Sequence, residues 1–110
     1  MLVLQAPTSL SASTYKRVEC GKGDQNSNGE CKFKEHLKAS QTKEFRGHCI
    51  DSKGNSSIPN AQDCNRNTHQ NTCTHVFDPD NLGKSDMSCS CTNWDPSTGH
   101  NVYVKLNCDN

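Results

Sequence analysis

Eight cysteines are spread along a chain of 110 residues that has few other means of building an interior. Cysteine and alanine aside, it carries 21 large apolar side chains. Five of these (Met1, Leu2, Val3, Leu4 and Leu10) fall in the first ten residues, which leaves 16 for everything beyond position 14. Fully burying one such side chain contributes about 1.5–3 kcal/mol, whereas fixing the backbone of one residue costs about 1–2 kcal/mol. An interior this lean needs covalent support, and four disulfides at about 2–4 kcal/mol each are the natural source. Such bonds persist outside the reducing cytosol, so a secreted, extracellular protein is expected. The competing reading of the same cysteines is an intracellular zinc protein. No Cys-x-x-Cys pair marks a zinc ribbon or a redox site, and neither a metal nor a cofactor is expected.

The length suits one domain, expected over residues 14–110. Residues 1–13 contain no charge; their apolar run stops at Leu4, and Pro7 follows. They read as a flexible leader, either a signal or propeptide remnant or an expression leader. No stretch approaches the roughly 18–20 apolar residues that span a bilayer.

Beyond residue 14, the pattern is of short alternating runs punctuated by 12 Asn, 9 Ser, 7 Gly and 3 Pro. Tyr15–Cys20 places Arg17 and Glu19 on one face, with Val18 and Cys20 opposite. Glu30–Lys34 turns Cys31 and Phe33 inward, and Lys43–Cys49 does the same with Phe45 and Cys49. Thr72–Phe77, Met87–Trp94 and Asn101–Cys108 add further strands, with Cys89 and Cys91 on one face. Loops are expected at Gly21–Gly29, Asp51–Asn60 and Asp78–Ser85. A helix competes with the strand reading only at Cys31–Ser40, where Phe33 and Leu37 stand four apart. The fold class expected is all-β, a small disulfide-stabilised antiparallel sandwich or barrel with at most one short helix.

Cys20, Cys31, Cys49, Cys64, Cys73, Cys89, Cys91 and Cys108 allow roughly a hundred connectivities, among which spacing alone does not choose. One local rule applies: Cys89 and Cys91 flank a single residue, so each is expected to reach a different partner. Tyr15 before Cys20, then Cys31-Lys32-Phe33-Lys34, then Lys43-Glu44-Phe45 leading to Cys49, form a recognisable series. Cys64 and Cys73 around Asn65, Asn67 and Asn71, and a close from Val104 to Cys108-Asp109, continue it. In this order the chain resembles the small disulfide-knotted antifungal proteins of filamentous moulds and, more broadly, fungal secreted cysteine-rich effector-like proteins. The resemblance implies a five-stranded antiparallel barrel with Cys20–Cys64, Cys31–Cys73 and Cys49–Cys108 bridges. Two departures stand against it: Cys89 and Cys91 lie in an added stretch covering roughly residues 78–100, and this chain has no net charge where that family is strongly basic.

Three groups of residues are candidates for function. Glu44, Arg46 and His48 leave one face of a strand, and a carboxylate, guanidinium and imidazole side by side suit RNA transphosphorylation. The competing reading is a solvated strand face crossed by ion pairs. Lys32, Lys34, Lys38 and Lys43 belong to a basic first half that holds seven of the 12 basic residues before position 44, a surface suited to an anionic cell wall or membrane. Trp94 either packs on the neighbouring disulfides or stacks on a sugar ring. His36, His48, His69, His75 and His100 match no metal-ligand spacing and read as ordinary surface histidines. Asn55-Ser56-Ser57 makes Asn55 eligible for N-glycosylation. Together these features point to a monomeric, non-enzymatic secreted protein, an antifungal or virulence effector binding a cell surface or host target. The alternatives are a small secreted ribonuclease using Glu44, Arg46 and His48, whose partner would be nucleic acid, and an inhibitor or binding module for a host protein.

Overall fold

These runs form eight strands in the computed structural model, which describes residues 14–65, 72–79 and 84–108. They are β1 (Tyr15–Gly21), β2 (Glu30–Leu37), β3 (Thr42–Ile50), β4 (Ser56–Ser57), β5 (Ala61–Asn65), β6 (Thr72–Asp78), β7 (Lys84–Thr92) and β8 (His100–Asn107). The only helical element among the described residues is a 3-10 turn at Lys22–Asp24. Residues 1–13 and the segment holding Asn67, His69 and Asn71 lie outside the described residues.

The strands form two sheets packed face to face. One has the order β1-β3-β7-β6, with β4 paired to the end of β3, and the other has the order β2-β8-β5. Neither closes on itself, so the fold is a sandwich and the barrel implied by the family resemblance is not formed. All pairings are antiparallel except β1 with β3, which run parallel from Tyr15↔Glu44 to Gly21↔Ile50. The reason is connectivity: β2, between them in sequence, lies in the opposite sheet, and two reversals bring β3 back along the direction of β1.

The helix considered at Cys31–Ser40 does not form. β2 alternates instead, with Cys31 and Leu37 buried and Lys32, Lys34 and His36 exposed. Its register along β8, whose Val102, Val104 and Leu106 are fully buried, makes the two-residue period the one that covers the core. The expected Asp51–Asn60 loop contains β4, and β5 follows it directly. β6 runs through Asp78 and β7 starts at Lys84, so the expected Asp78–Ser85 loop is shorter than its composition suggests.

Seven of the 14 buried hydrophobic residues among those described are cysteines. Three bridges join the two sheets: Cys20–Cys31 (β1 to β2), Cys49–Cys108 (β3 to the end of β8) and Cys64–Cys91 (β5 to β7). The fourth, Cys73–Cys89, links residues directly opposite each other on β6 and β7. Cys89 and Cys91 thus reach different partners, as their spacing requires. The family pairing holds only for Cys49–Cys108. Cys20–Cys64 and Cys31–Cys73 are replaced because β7 supplies two additional inward sulfurs and captures Cys64 and Cys73.

Phe45, Val18 and Met87 of the larger sheet meet Leu37, Val102, Val104 and Leu106 of the smaller one. Gly47, in the centre of β3, makes a close approach possible: a Cβ there would collide with Gln62 Oε1 and with Leu106 Cδ2. Its absence lets Gln62 press against β3 and donate from Nε2 to the Phe45 carbonyl at 3.3 Å. The bridges differ in the loops they close, 59 residues for Cys49–Cys108 and 11 for Cys20–Cys31. Replacing the first pair by alanine is expected to cost about 4 kcal/mol and the second about 3 kcal/mol. Denaturant titration under non-reducing conditions measures both, and equal losses would contradict the chain-entropy origin.

Candidate functional site

Glu44, Arg46 and His48 stand on the outer face of β3, as the alternation requires, because Phe45, Gly47 and Cys49 point inward. The parallel register of β1 sets Tyr15, Arg17 and Glu19 beside them, and β7 adds Ser88 opposite Arg46. The β7–β3 ladder stops at Met87↔Gly47. Beyond that point the ends of β6 and β7 place Asp78 and Asp86 against the cluster. Phe77, on the opposite side of the same turn of chain, is 66% exposed.

The result is a dense polar network. Arg17 Nη2 donates to Asp78 Oδ2 at 2.7 Å and to Tyr15 Oη at 3.2 Å, while its Nη1 donates to Asp86 Oδ2 at 3.1 Å. Arg46 Nε donates to Glu44 Oε2 at 2.8 Å, and Ser88 Oγ donates to the same oxygen at 2.7 Å. The Arg46 guanidinium lies 4.1 Å from the Tyr15 ring centroid and 3.8 Å from Asp78 Oδ2. His48 Nε2 lies 3.0 Å from Glu19 Oε2 and its Nδ1 3.5 Å from Asp86 Oδ1. Asp78 and Asp86 are fully buried, and the His48 side chain is 2% exposed.

Burial opposes both guanidinium charges, yet the carboxylates beside them outweigh it. Asp78 and Asp86 hold Arg17 above its ordinary value, and Glu44 and Asp78 do the same for Arg46. For Glu44, burial is the largest single influence and pushes its pKa upward, but the Ser88 and Arg46 hydrogen bonds together bring it below the ordinary 4.5. Chemically, both guanidiniums already face carboxylates, and the imidazole lies between Glu19 and the Asp86 that also faces Arg17. A phosphate approaching Arg17 or Arg46 would have to displace Asp78 or Glu44. Asp78 and Asp86 could not be recognised as members from the sequence, because Asp78 sits in a stretch that reads as loop and Asp86 is 38 residues from His48.

The lysines divide. Lys32 and Lys34 are exposed on the outer face of β2, and neither forms an ion pair with a described residue. Lys32 lies directly opposite Lys105 of β8, and Lys34 opposite Tyr103, which is 37% exposed. Lys105 in turn has Glu30 at 3.7 Å. Lys38 is exposed just past the end of β2. Lys43 stands apart, since it binds Glu35 at 2.7 Å at the margin of the two sheets, where Lys16 also reaches that carboxylate at 3.3 Å. The Lys43 bond is the main cause holding Glu35 below the ordinary 4.5, against burial, with Lys16 adding to it.

His36 bonds Asn101, His75 is exposed on β6, and His100 lies 3.1 Å from Asp95. Among the described residues, no group of three or more His, Cys, Asp or Glu is arranged to hold a metal ion, and no helix is long and apolar enough to cross a membrane. Asn55 is exposed in the turn before β4, where Asp51 Oδ1 accepts its backbone N–H at 2.9 Å. Comparison with known proteins yields no match to a family model, a curated protein or a solved structure.

Removing Arg17 leaves two buried carboxylates short of their main counter-charge. Arg17→Met is expected to destabilise the fold by about 3 kcal/mol, and Asp78→Asn in the same chain to recover part of the loss; a double-mutant cycle in denaturant measures both. Glu35 and Glu44 are both depressed in the folded state, so each contributes stability that is complete above the unfolded value and lost as pH falls through the folded one. The melting temperature should therefore decline once the pH drops below the ordinary 4.5. Glu35→Gln with Glu44→Gln should flatten that decline, as followed by thermal unfolding across pH.

Proposed function

We propose that this chain is an exported, non-enzymatic binding protein of the antifungal or effector type, acting at an anionic cell-wall or membrane surface. The observation that carries the reading is the outer face of the smaller sheet. Lys32 and Lys34 stand exposed there beside Lys105 and Tyr103; Lys105 has Glu30 at 3.7 Å and Asp63 opposite it on β5, whereas neither Lys32 nor Lys34 forms an ion pair with a described residue. Two exposed cations left over in this way suit a surface whose counter-charge arrives with a ligand. Four disulfides in so small a domain are consistent with an extracellular protein and with resistance to proteases.

The lysine cluster predicts binding to anionic vesicles or pectate beads that weakens with added salt. Each lysine near an anionic surface contributes about 1 kcal/mol, so Lys32→Glu with Lys34→Glu should lower affinity by roughly thirtyfold or more at low salt. Unchanged binding, or unchanged growth inhibition of a sensitive mould, would remove the basis of the proposal.

The second reading is a small secreted ribonuclease, favoured by the assembly of Glu44, Arg46 and His48 with Tyr15 and Arg17 on one face. Against it stands the enclosure of His48, because a general base must come within hydrogen-bond reach of the substrate hydroxyl. RNA cleavage by the purified chain, abolished by His48→Ala, would reverse the order of the two readings.

A further inference from the structure

The outer face of the smaller sheet is laid out in rungs that cross from β2 to β8 and on to β5. Glu30 faces Asn107, Lys32 faces Lys105, Lys34 faces Tyr103 and His36 faces Asn101, with Asp63 of β5 opposite Lys105 on its other side. The polar groups of these rungs are not equally occupied. Lys105 has Glu30 at 3.7 Å as well as Asp63 beside it, so its charge is met from within the sheet. His36 Nδ1 lies 3.2 Å from Asn101 Oδ1. Lys32 and Lys34 are exposed, and neither forms an ion pair with a described residue. Tyr103, next to Lys34 on the middle strand, is 37% exposed. Two residues of strand separate Lys32 from Lys34, which is about 7 Å, and neighbouring strands stand about 5 Å apart. The two uncommitted cations therefore run along the strand direction with an aromatic ring beside them.

This layout discriminates among anionic partners. Adsorption to a bilayer is strengthened by apolar side chains that enter the headgroup boundary beside the cations. The other exposed large hydrophobic residues among those described are Phe77, on β6 of the opposite sheet, and Trp94, between β7 and β8. Only Tyr103 shares the face, and its ring ends in a hydroxyl. Nucleic acid is held through phosphates, which the forked guanidinium of arginine fits best, and through several rings on which successive bases stack. Arg17 and Arg46 are bound to carboxylates on the larger sheet, and this face offers a single exposed large ring. Ammonium groups in line beside one amphipathic ring instead match a linear polysaccharide that carries a carboxylate on its sugar units. The C–H face of one sugar covers Tyr103, and the carboxylates of that unit and the next meet Lys34 and Lys32. His36 and Asn101 continue the strip with side chains that hydrogen-bond hydroxyl groups.

We propose that Lys32, Lys34 and Tyr103 form a binding site for a linear polyuronate whose chain runs along β2 and β8, which rests on the reading of this face as the contact with an anionic surface and names what it recognises there. Calorimetric titration at low salt with tetragalacturonate, its methyl-esterified form, tetrauridylate and phosphatidylserine vesicles separates the possible ligands. Tetragalacturonate should bind saturably, and the ester, which keeps the rings and loses the charges, about tenfold more weakly. Tyr103→Ala should lower the affinity about tenfold, the scale of truncating an aromatic anchor, while Tyr103→Phe keeps most of it because the ring carries the stacking. Lys34→Gln should lower it about fivefold, the effect of one lysine near an anionic surface. In the unmodified chain, the backbone amides whose NMR signals move on addition of tetragalacturonate should lie on β2 and β8. Vesicle binding without tetragalacturonate binding would overturn the polyuronate site and leave the surface reading standing, whereas binding to neither would overturn both. Equal affinity for the ester, tighter binding of tetrauridylate, full affinity in Tyr103→Ala, or shifted amides confined to other strands would each overturn the assignment.

Discussion

Covalent links between the two sheets are the constraint on which the remainder of this structure rests. The apolar side chains that meet between the sheets are few, and half of the buried hydrophobic set is sulfur from cystine. Three of the four bridges cross from one sheet to the other, at β1–β2, β3–β8 and β5–β7, so the spacing of the layers is set at separate points along the strands. With that spacing fixed, Gly47 can be left without a side chain, and Gln62, a polar residue, can fill an inward position by bonding the β3 backbone. A core held by dispersion and burial alone tolerates such substitutions poorly, because each polar inward residue costs desolvation.

Freed from supplying the main cohesion, the outer faces carry arrangements that are otherwise costly. On the larger sheet, Arg17, Arg46, Asp78, Asp86, Glu44 and His48 form a network in which two carboxylates are fully enclosed. It fastens the ends of β6 and β7 to β1 and β3, a tertiary contact made by charge. Its closure turns a constellation with the residue types of a nuclease into an internally satisfied clamp. On the smaller sheet, Lys105 is met by Glu30, whereas Lys32 and Lys34 form no ion pair with a described residue, and this difference in satisfaction separates the two polar faces.

Legibility of the fold in the sequence followed the strength of the two-residue period. β1, β2, β3 and β6 carry a cysteine with an apolar residue at alternate positions, and β8 carries Val102, Val104 and Leu106, so their faces could be assigned residue by residue. β5 (Ala61-Gln62-Asp63-Cys64-Asn65) offers one buried cysteine and a glutamine, and its strand character comes from pairing with β8 rather than from its own pattern. The helical spacing of Phe33 and Leu37 was a genuine ambiguity that only the register with β8 resolves. Of the polar cluster, Glu44, Arg46 and His48 were visible because they are two apart on one strand; Asp78 and Asp86 were not, since their contribution depends on where a distant hairpin bends.

By itself, the sequence determined that this chain needs cross-links, because eight cysteines accompany a shortage of large apolar residues, and that it is mainly β, because its apolar residues recur at every second position. It also determined that Cys89 and Cys91 could not share a partner, which is local stereochemistry. Tertiary structure alone decided which sulfurs meet, because connectivity depends on which inward positions face each other once both sheets are stacked. It likewise decided which charges are spent on one another and which remain at the surface. That outcome is set by distances of a few ångströms between strands far apart in the chain, and no spacing along the sequence encodes it.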